Sequence, residues 1–171
     1  MLSGCGIQDI KEHFYTESAK TELSKLCNRE GDSKLVVCNN FEAPDPERDL
    51  TIDEFREIAS SYLDSAHYEY KSDGEGKDKY SYMRPDADGI MRGDCEDFVV
   101  MIIQRMVMDG SIKKGSVKWI YGKANGDFHA WTIIVIEGKE YIFDTVSWFG
   151  RPLQEAYEEY DYQEIESLFS Y

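Results

Sequence analysis

Between residues 98 and 107 the chain is apolar on nearly every side of a helix: Phe98, Val99, Met101, Ile102, Ile103, Met106 and Val107 leave no polar stripe. Such a helix cannot lie on a surface, so it must be central and the rest of the chain must cover it. It is expected to run from about 95 to 108 and to stop at Gly110. Apolar runs at 117–121, 130–136 and 141–145 follow, and each reads as a strand. The buried helix and the strands that follow it must share one core.

The flanking segments are more polar. Residues from about 7 to 27 carry Ile10, Phe14, Leu23 and Leu26 among charges, a helical pattern ended by Gly31 and Asp32. Residues 35–38 suggest a short strand, and 39–49, with Pro44 and Pro46, a loop. Thr51 and Glu54 form a capping box for a helix that sets Phe55, Ile58, Ala59 and Tyr62 on one face and ends near His67. Residues 71–79 are Gly-rich and charged, as in a flexible loop, and Tyr80, Tyr82 and Met83 then lead to the central helix. The acidic stretch 153–169 is amphipathic and is expected to be a closing helix. There is no internal repeat. The chain reads as one domain over 1–171, its core at about 51–148, with a helical N-terminal extension and an acidic C-terminal helix.

With 171 residues, 42% of them apolar and 13% aromatic, the chain can fill one core. Acidic residues number 34 against 19 basic, a net charge of −15, which repels phosphate backbones and argues against a nucleic-acid partner. Lys113, Lys114 and Lys118 form the basic cluster and read as a solvated loop. No apolar run reaches the roughly 20 residues needed to span a bilayer. Leu2-Ser3-Gly4-Cys5 resembles a bacterial lipobox without the basic and hydrophobic segments that should precede it. The compartment is therefore cytoplasmic by default, and periplasmic or lipid-anchored if that motif is the remnant of a trimmed signal. Four cysteines do not make a disulfide scaffold at this length. Cys27 and Cys38 are close enough in sequence to pair, but reduced is the default expectation, and Cys5 reads as a terminal thiol. The oligomeric state is left open.

Cys95 has a chemical context. It lies in Gly93-Asp94-Cys95-Glu96-Asp97-Phe98, at the first position of the central helix if Asp94 is its N-cap. Free backbone N–H groups and the positive helix end favour a thiolate there and can help bind an oxyanion. Asp94, Glu96 and Asp97 oppose ionisation, because nearby negative charge raises a thiol pKa. A thiolate at this position needs a cation. His129, which opens His129-Ala130-Trp131, and Asp144, which closes Tyr141-Ile142-Phe143-Asp144, supply the types required: an imidazole as base and a carboxylate to orient it. A divalent ion held by the carboxylates would also relieve the repulsion. His13 and His67, on helices without thiol or carboxylate company, read as structural.

Whether His129 and Asp144 meet depends on register. Strand alternation puts His129, Trp131, Ile133 and Val135 on one face and Glu140, Ile142 and Asp144 on one face of the next strand. A turn at Gly138-Lys139 sets Asp144 opposite Ile133, about 13 Å along the strand from His129 at about 3.3 Å per residue. A turn at Glu137-Gly138 sets it opposite Trp131, diagonal to His129 and within reach. Both turns are open from sequence, and a triad favours the second, or a bulge with the same effect.

The Gly-Asp-Cys-Glu-Asp-Phe helix start, the His-Ala-Trp strand and the Phe-Asp-Thr strand end closely resemble the transglutaminase-like superfamily, and within it the bacterial transglutaminase-like cysteine proteinases. His129 lies 34 positions after Cys95 and Asp144 lies 15 positions after His129, which fits. The resemblance covers about 80–148. It implies a papain-like α+β core, the Cys95 helix packed against an antiparallel sheet that bears His129 and Asp144, with Cys95 attacking an amide carbonyl, His129 transferring the proton and Asp144 orienting His129. A cysteine hydrolase acting on protein or peptide substrates follows. Acyl transfer to an amine, or a non-catalytic binding module that keeps the fold, are the alternatives. No cofactor is required, although relatives that clip adhesins bind calcium through acids that Asp94 and Glu96 match. The Trp common upstream of the Cys is missing, with Tyr80 and Tyr82 in roughly its place, so the second oxyanion donor is unassigned.

Overall fold

A computed structural model describes residues 6–38, 48–62, 68–73, 79–113, 115–144 and 150–170. The Leu2-Cys5 motif, the Pro44 and Pro46 loop, most of 71–79, His67 and Lys114 lie outside them, as does the side chain of His13. The chain is a mixed α+β fold. In order it forms helix α1 (Gly6–Cys27), a short 3-10 helix (Val36–Cys38), α2 (Ile52–Tyr62), strands β1 (Tyr68–Tyr70) and β2 (Met91–Gly93), and α3 (Cys95–Met108). Strands β3 (Val117–Ala124), β4 (Asp127–Ile136), β5 (Lys139–Phe143) and β6 (Arg151–Pro152) follow, then α4 (Leu153–Tyr160) and β7 (Gln163–Ser170).

The five-stranded sheet has the order β6-β5-β4-β3-β7 and is antiparallel throughout. Helix α3 is the apolar centre expected of it: Phe98 to Ile103, Met106 and Val107 are all fully buried. It packs on one face of the sheet, against Ala130, Ile134 and Ile136 of β4, with Phe55 of α2 and Leu26 of α1 in the same core. The opposite face carries a second cluster, Ile120, Trp131, Ile133 and Ile142 under Ala156 of α4 and Tyr162. The alternation of β4 therefore divides its side chains between two cores. The capping box at α2 forms as expected, with Thr51 N–H donating to Glu54 at 2.8 Å and Glu54 N–H to Thr51 Oγ1 at 3.3 Å.

Three expectations are corrected. The tail is not one helix: Asp161 takes a left-handed conformation (φ 46°) that ends α4, and the chain continues as β7. The open edge of β3 is the physical reason, since Trp119 and Phe169 sit opposite each other and the edge's backbone groups gain partners. Residues 36–38 form a 3-10 turn rather than a strand. The Val36 N–H bonds to Gln104 Oε1 of α3 at 2.7 Å, which docks the turn on the central helix instead of on a sheet. Cys27 and Cys38 are not reduced. The end of α1 and this turn bring their Cα atoms to 5.2 Å and they form a disulfide.

Candidate active site

The β4–β5 hairpin turns at Glu137 and Gly138, both at positive φ (51° and 74°), the geometry of a tight two-residue hairpin. Ile136 pairs with Lys139 and Thr132 with Phe143. Continued one step, that register puts Asp144 across from Trp131 and diagonal to His129. His129 Nε2 meets Asp144 Oδ1 at 2.6 Å, with both side chains buried. An ionised Asp144 accepts the Nε2 hydrogen, which leaves Nδ1 as the basic nitrogen of a neutral ring.

A residue not singled out from the sequence completes the pair. Tyr162, buried in the turn between α4 and β7, donates its hydroxyl to Asp144 Oδ2. Its ring packs edge-on against Trp131 at 4.8 Å, and Trp131 lies 6.1 Å from His129 in a near-parallel stack. The Trp131 indole N–H donates to the Tyr157 hydroxyl at 3.2 Å, and that hydroxyl donates to Glu164 at 2.6 Å. Gly122, opposite His129 on β3, keeps this corner open. A Cβ there would stand 2.2 Å from the Gln163 carbonyl oxygen and 2.5 Å from the Trp131 ring.

Cys95 opens α3, and Asp94 precedes it in the N-cap position with an extended backbone. The Asp94 side chain makes no capping bond; its Oδ2 accepts the Asp73 N–H at 3.3 Å. Asp97 does not cap either, but accepts the Ser81 N–H at 2.6 Å and anchors the segment leading to β2. The pairing of β4 with β5 stops at Thr132, and beyond it the Ala130 N–H donates to the Cys95 sulfur. The thiol thus reaches β4 at the residue next to His129. Its hydrogen goes to Glu96 Oε2 at 3.1 Å, and among the described residues no hydrogen bond joins Cys95 to His129.

The opposition between helix end and acids, evident in the sequence, resolves toward the acids. Burial, then the Glu96 charge and its hydrogen bond, push the Cys95 thiol well above its ordinary pKa, against the smaller opposing effect of the Ala130 N–H. Burial also lifts Asp97 to about 7, with Asp94 adding to the shift and Ser81 opposing it. Asp73, Asp94 and Glu96 each offer a carboxylate oxygen, and these oxygens lie within 4.8 Å of one another. Hard oxygen donors in that number are a partial set for calcium, which takes six to eight.

Two further expectations are placed. Tyr80 does not face the site, since its ring packs on Trp119 at 5.3 Å in the core, and Tyr82 lies under the Arg84 guanidinium. Instead β1, not expected from the sequence, brings Tyr68 and Tyr70 to a cleft of about 480 Å³ that they line with Ala124, Asn125, Asp127, Phe128 and His129. In the supposed basic cluster, Lys113 pairs with Asp49 and Lys118 with Glu140. No helix of the described residues is long and apolar enough to cross a membrane. No family model, curated protein or solved structure matches the chain.

Proposed function

We propose that the chain is a cysteine hydrolase of transglutaminase-like type, with a papain-like core, that cleaves peptide or amide bonds. The observation that carries the reading is the buried 2.6 Å pairing of His129 with Asp144, beside the strand residue that holds the Cys95 sulfur. In the reaction Cys95 gives its proton to Nδ1 of His129 and attacks the carbonyl carbon. His129 then protonates the leaving amine as the tetrahedral intermediate collapses to a thioester. Water, deprotonated by the same imidazole, releases the acid and restores the thiol. The Cys95 N–H, at the first position of α3, is the donor available to the oxyanion. The test is mass-spectrometric detection of cleavage in a peptide mixture. Cys95→Ala and His129→Ala are each expected to abolish it with the melting temperature nearly unchanged, whereas cleavage that survives Cys95→Ala excludes the reading.

The resting thiol is directed at Glu96, so it must turn from Glu96 to His129 before it reacts. Asp73, Asp94 and Glu96 fit calcium by donor type and spacing, and a bound ion would supply positive charge that favours the Cys95 thiolate. The Cys27–Cys38 disulfide supports an oxidising compartment over the cytoplasm. Acyl transfer to an amine uses the same residues and differs in what resolves the thioester. A second reading, a non-catalytic binding module, draws on the raised Cys95 pKa and the Glu96 contact; it predicts peptide binding without turnover.

A further inference from the structure

We propose that the cleft between β1 and the β3–β4 turn receives one large aromatic or aliphatic side chain of a substrate peptide, with a basic residue beside it. The proposal rests on the hydrolase reading and names its substrate class. The cleft, about 480 Å³, is of the size of small-ligand sites, and its wall includes His129, so a chain seated in it passes the His129–Asp144 pair. Tyr68, Tyr70, Ala124 and Phe128 give the cleft apolar surface beside the polar Asn125 and Asp127. Phe128 is stacked on Tyr121 at 5.8 Å, and the Tyr68 ring lies 6.1 Å from Phe98 of α3. Tyr70 is 57% exposed, a large ring left in water unless a guest covers it. The Tyr68 hydroxyl is buried with no partner among the described residues, a donor to which a peptide carbonyl offers an acceptor.

Charge selects the neighbouring residue. Asp127 is exposed on the cleft wall, and Asp73, Asp94 and Glu96 cluster by Cys95, in a chain of net charge −15. Lys123, over the Phe128 ring at 5.4 Å, is the nearby cation and does not line the cleft. A cation bound by the acidic trio would still leave Asp127. Peptides with Lys or Arg next to Phe, Tyr, Leu or Met match this surface best, since electrostatic complementarity guides encounter and aromatic walls fix the side chain.

The test has two arms. In the first, a diverse peptide library is digested and cleavage sites are mapped by mass spectrometry, with Cys95→Ala as control. One position relative to the cut is expected to favour large apolar side chains over Ala on the order of tenfold or more. Tyr70→Ala should flatten that preference, and Asp127→Asn should remove the preference for a basic neighbour. Cys95-dependent cleavage with no such preference overturns the cleft proposal and leaves the hydrolase standing. In the second arm, Cys95→Ala protein is titrated with a fluorescent basic peptide containing Phe, and with its Phe→Ala counterpart. Tighter binding of the Phe peptide that is lost in Tyr70→Ala, with no cleavage by the intact protein, supports the cleft and removes the hydrolase. Equal binding of both peptides overturns the cleft.

Discussion

The proton inventory around Asp144 sets what the site residues can do. Its carboxylate takes one hydrogen from His129 and another from Tyr162, so it has fixed partners on both oxygens. Tyr162→Phe keeps the ring in its packing against Trp131 and removes only the hydroxyl. A hydrogen bond to a charged group contributes about 1.5–3 kcal/mol, so turnover should fall roughly tenfold to a hundredfold with KM little changed. If Tyr162 is merely packing, kcat will not move. Asp144→Asn leaves the shape but misorients the imidazole, and a loss on the order of 10⁴ is expected by analogy with serine triads. Glu96 acts in the other direction. Its charge and hydrogen bond are the largest causes, after burial, of the raised Cys95 pKa, so Glu96→Gln should lower that pKa and speed alkylation of Cys95 in metal-free buffer. An unchanged or slower rate would mean that burial alone sets the thiol's acidity.

At the level of elements, the segment from β2 into α3 stores a pH dependence. The folded pKa of Asp97 is about 7 against an ordinary 3.8, so below about pH 4 it is protonated in both states and adds no penalty. Between about 4 and 7 the folded form holds a proton that the unfolded chain has lost, and stability falls as pH rises through this window. Asp97→Asn stays neutral and its side-chain oxygen can still accept the Ser81 N–H. In metal-free buffer its melting temperature should exceed the wild type's at pH 8, by on the order of 5 °C, with little difference at pH 4. Equal curves at both values would refute the assignment. The central helix was legible in the sequence because seven apolar residues surround it, and the His129–Asp144 pair because strand alternation set both side chains on faces that a hairpin can bring together. The choice of register lay in the Glu137-Gly138 turn, where a non-glycine residue adopts positive φ, which composition does not announce. Asn125-Gly126 marks the preceding hairpin turn and was readable, so β3 and β4 could have been extended to meet it. The strand β7 was not readable: its acidic residues suit a helix surface equally well, and only the open edge of β3 decides. Tyr162 and the β1 tyrosines were invisible for the same reason, since their roles come from tertiary placement.

For the whole molecule, the disulfide ties the end of α1 to the turn that docks on α3. Closing a loop of 11 residues restricts the unfolded chain by about 3 kcal/mol on the chain-entropy estimate. Reduction, or Cys27→Ser with Cys38→Ser, should therefore lower the melting temperature by several degrees while leaving Cys95 chemistry intact, because neither cysteine lines the site. Loss of activity in parallel with the disulfide would show instead that α3 depends on this clamp for its position. All of this turns on whether Cys95 and His129 act as one unit. The direct measurement is the alkylation rate of Cys95 by iodoacetamide between pH 5 and 10, read by peptide mapping, in the wild type and in His129→Ala. The wild type should react at least tenfold faster near neutral pH, with the difference closing at high pH where the thiol ionises unaided. Identical slow rates in both proteins across the range, rising only at high pH, would contradict the account.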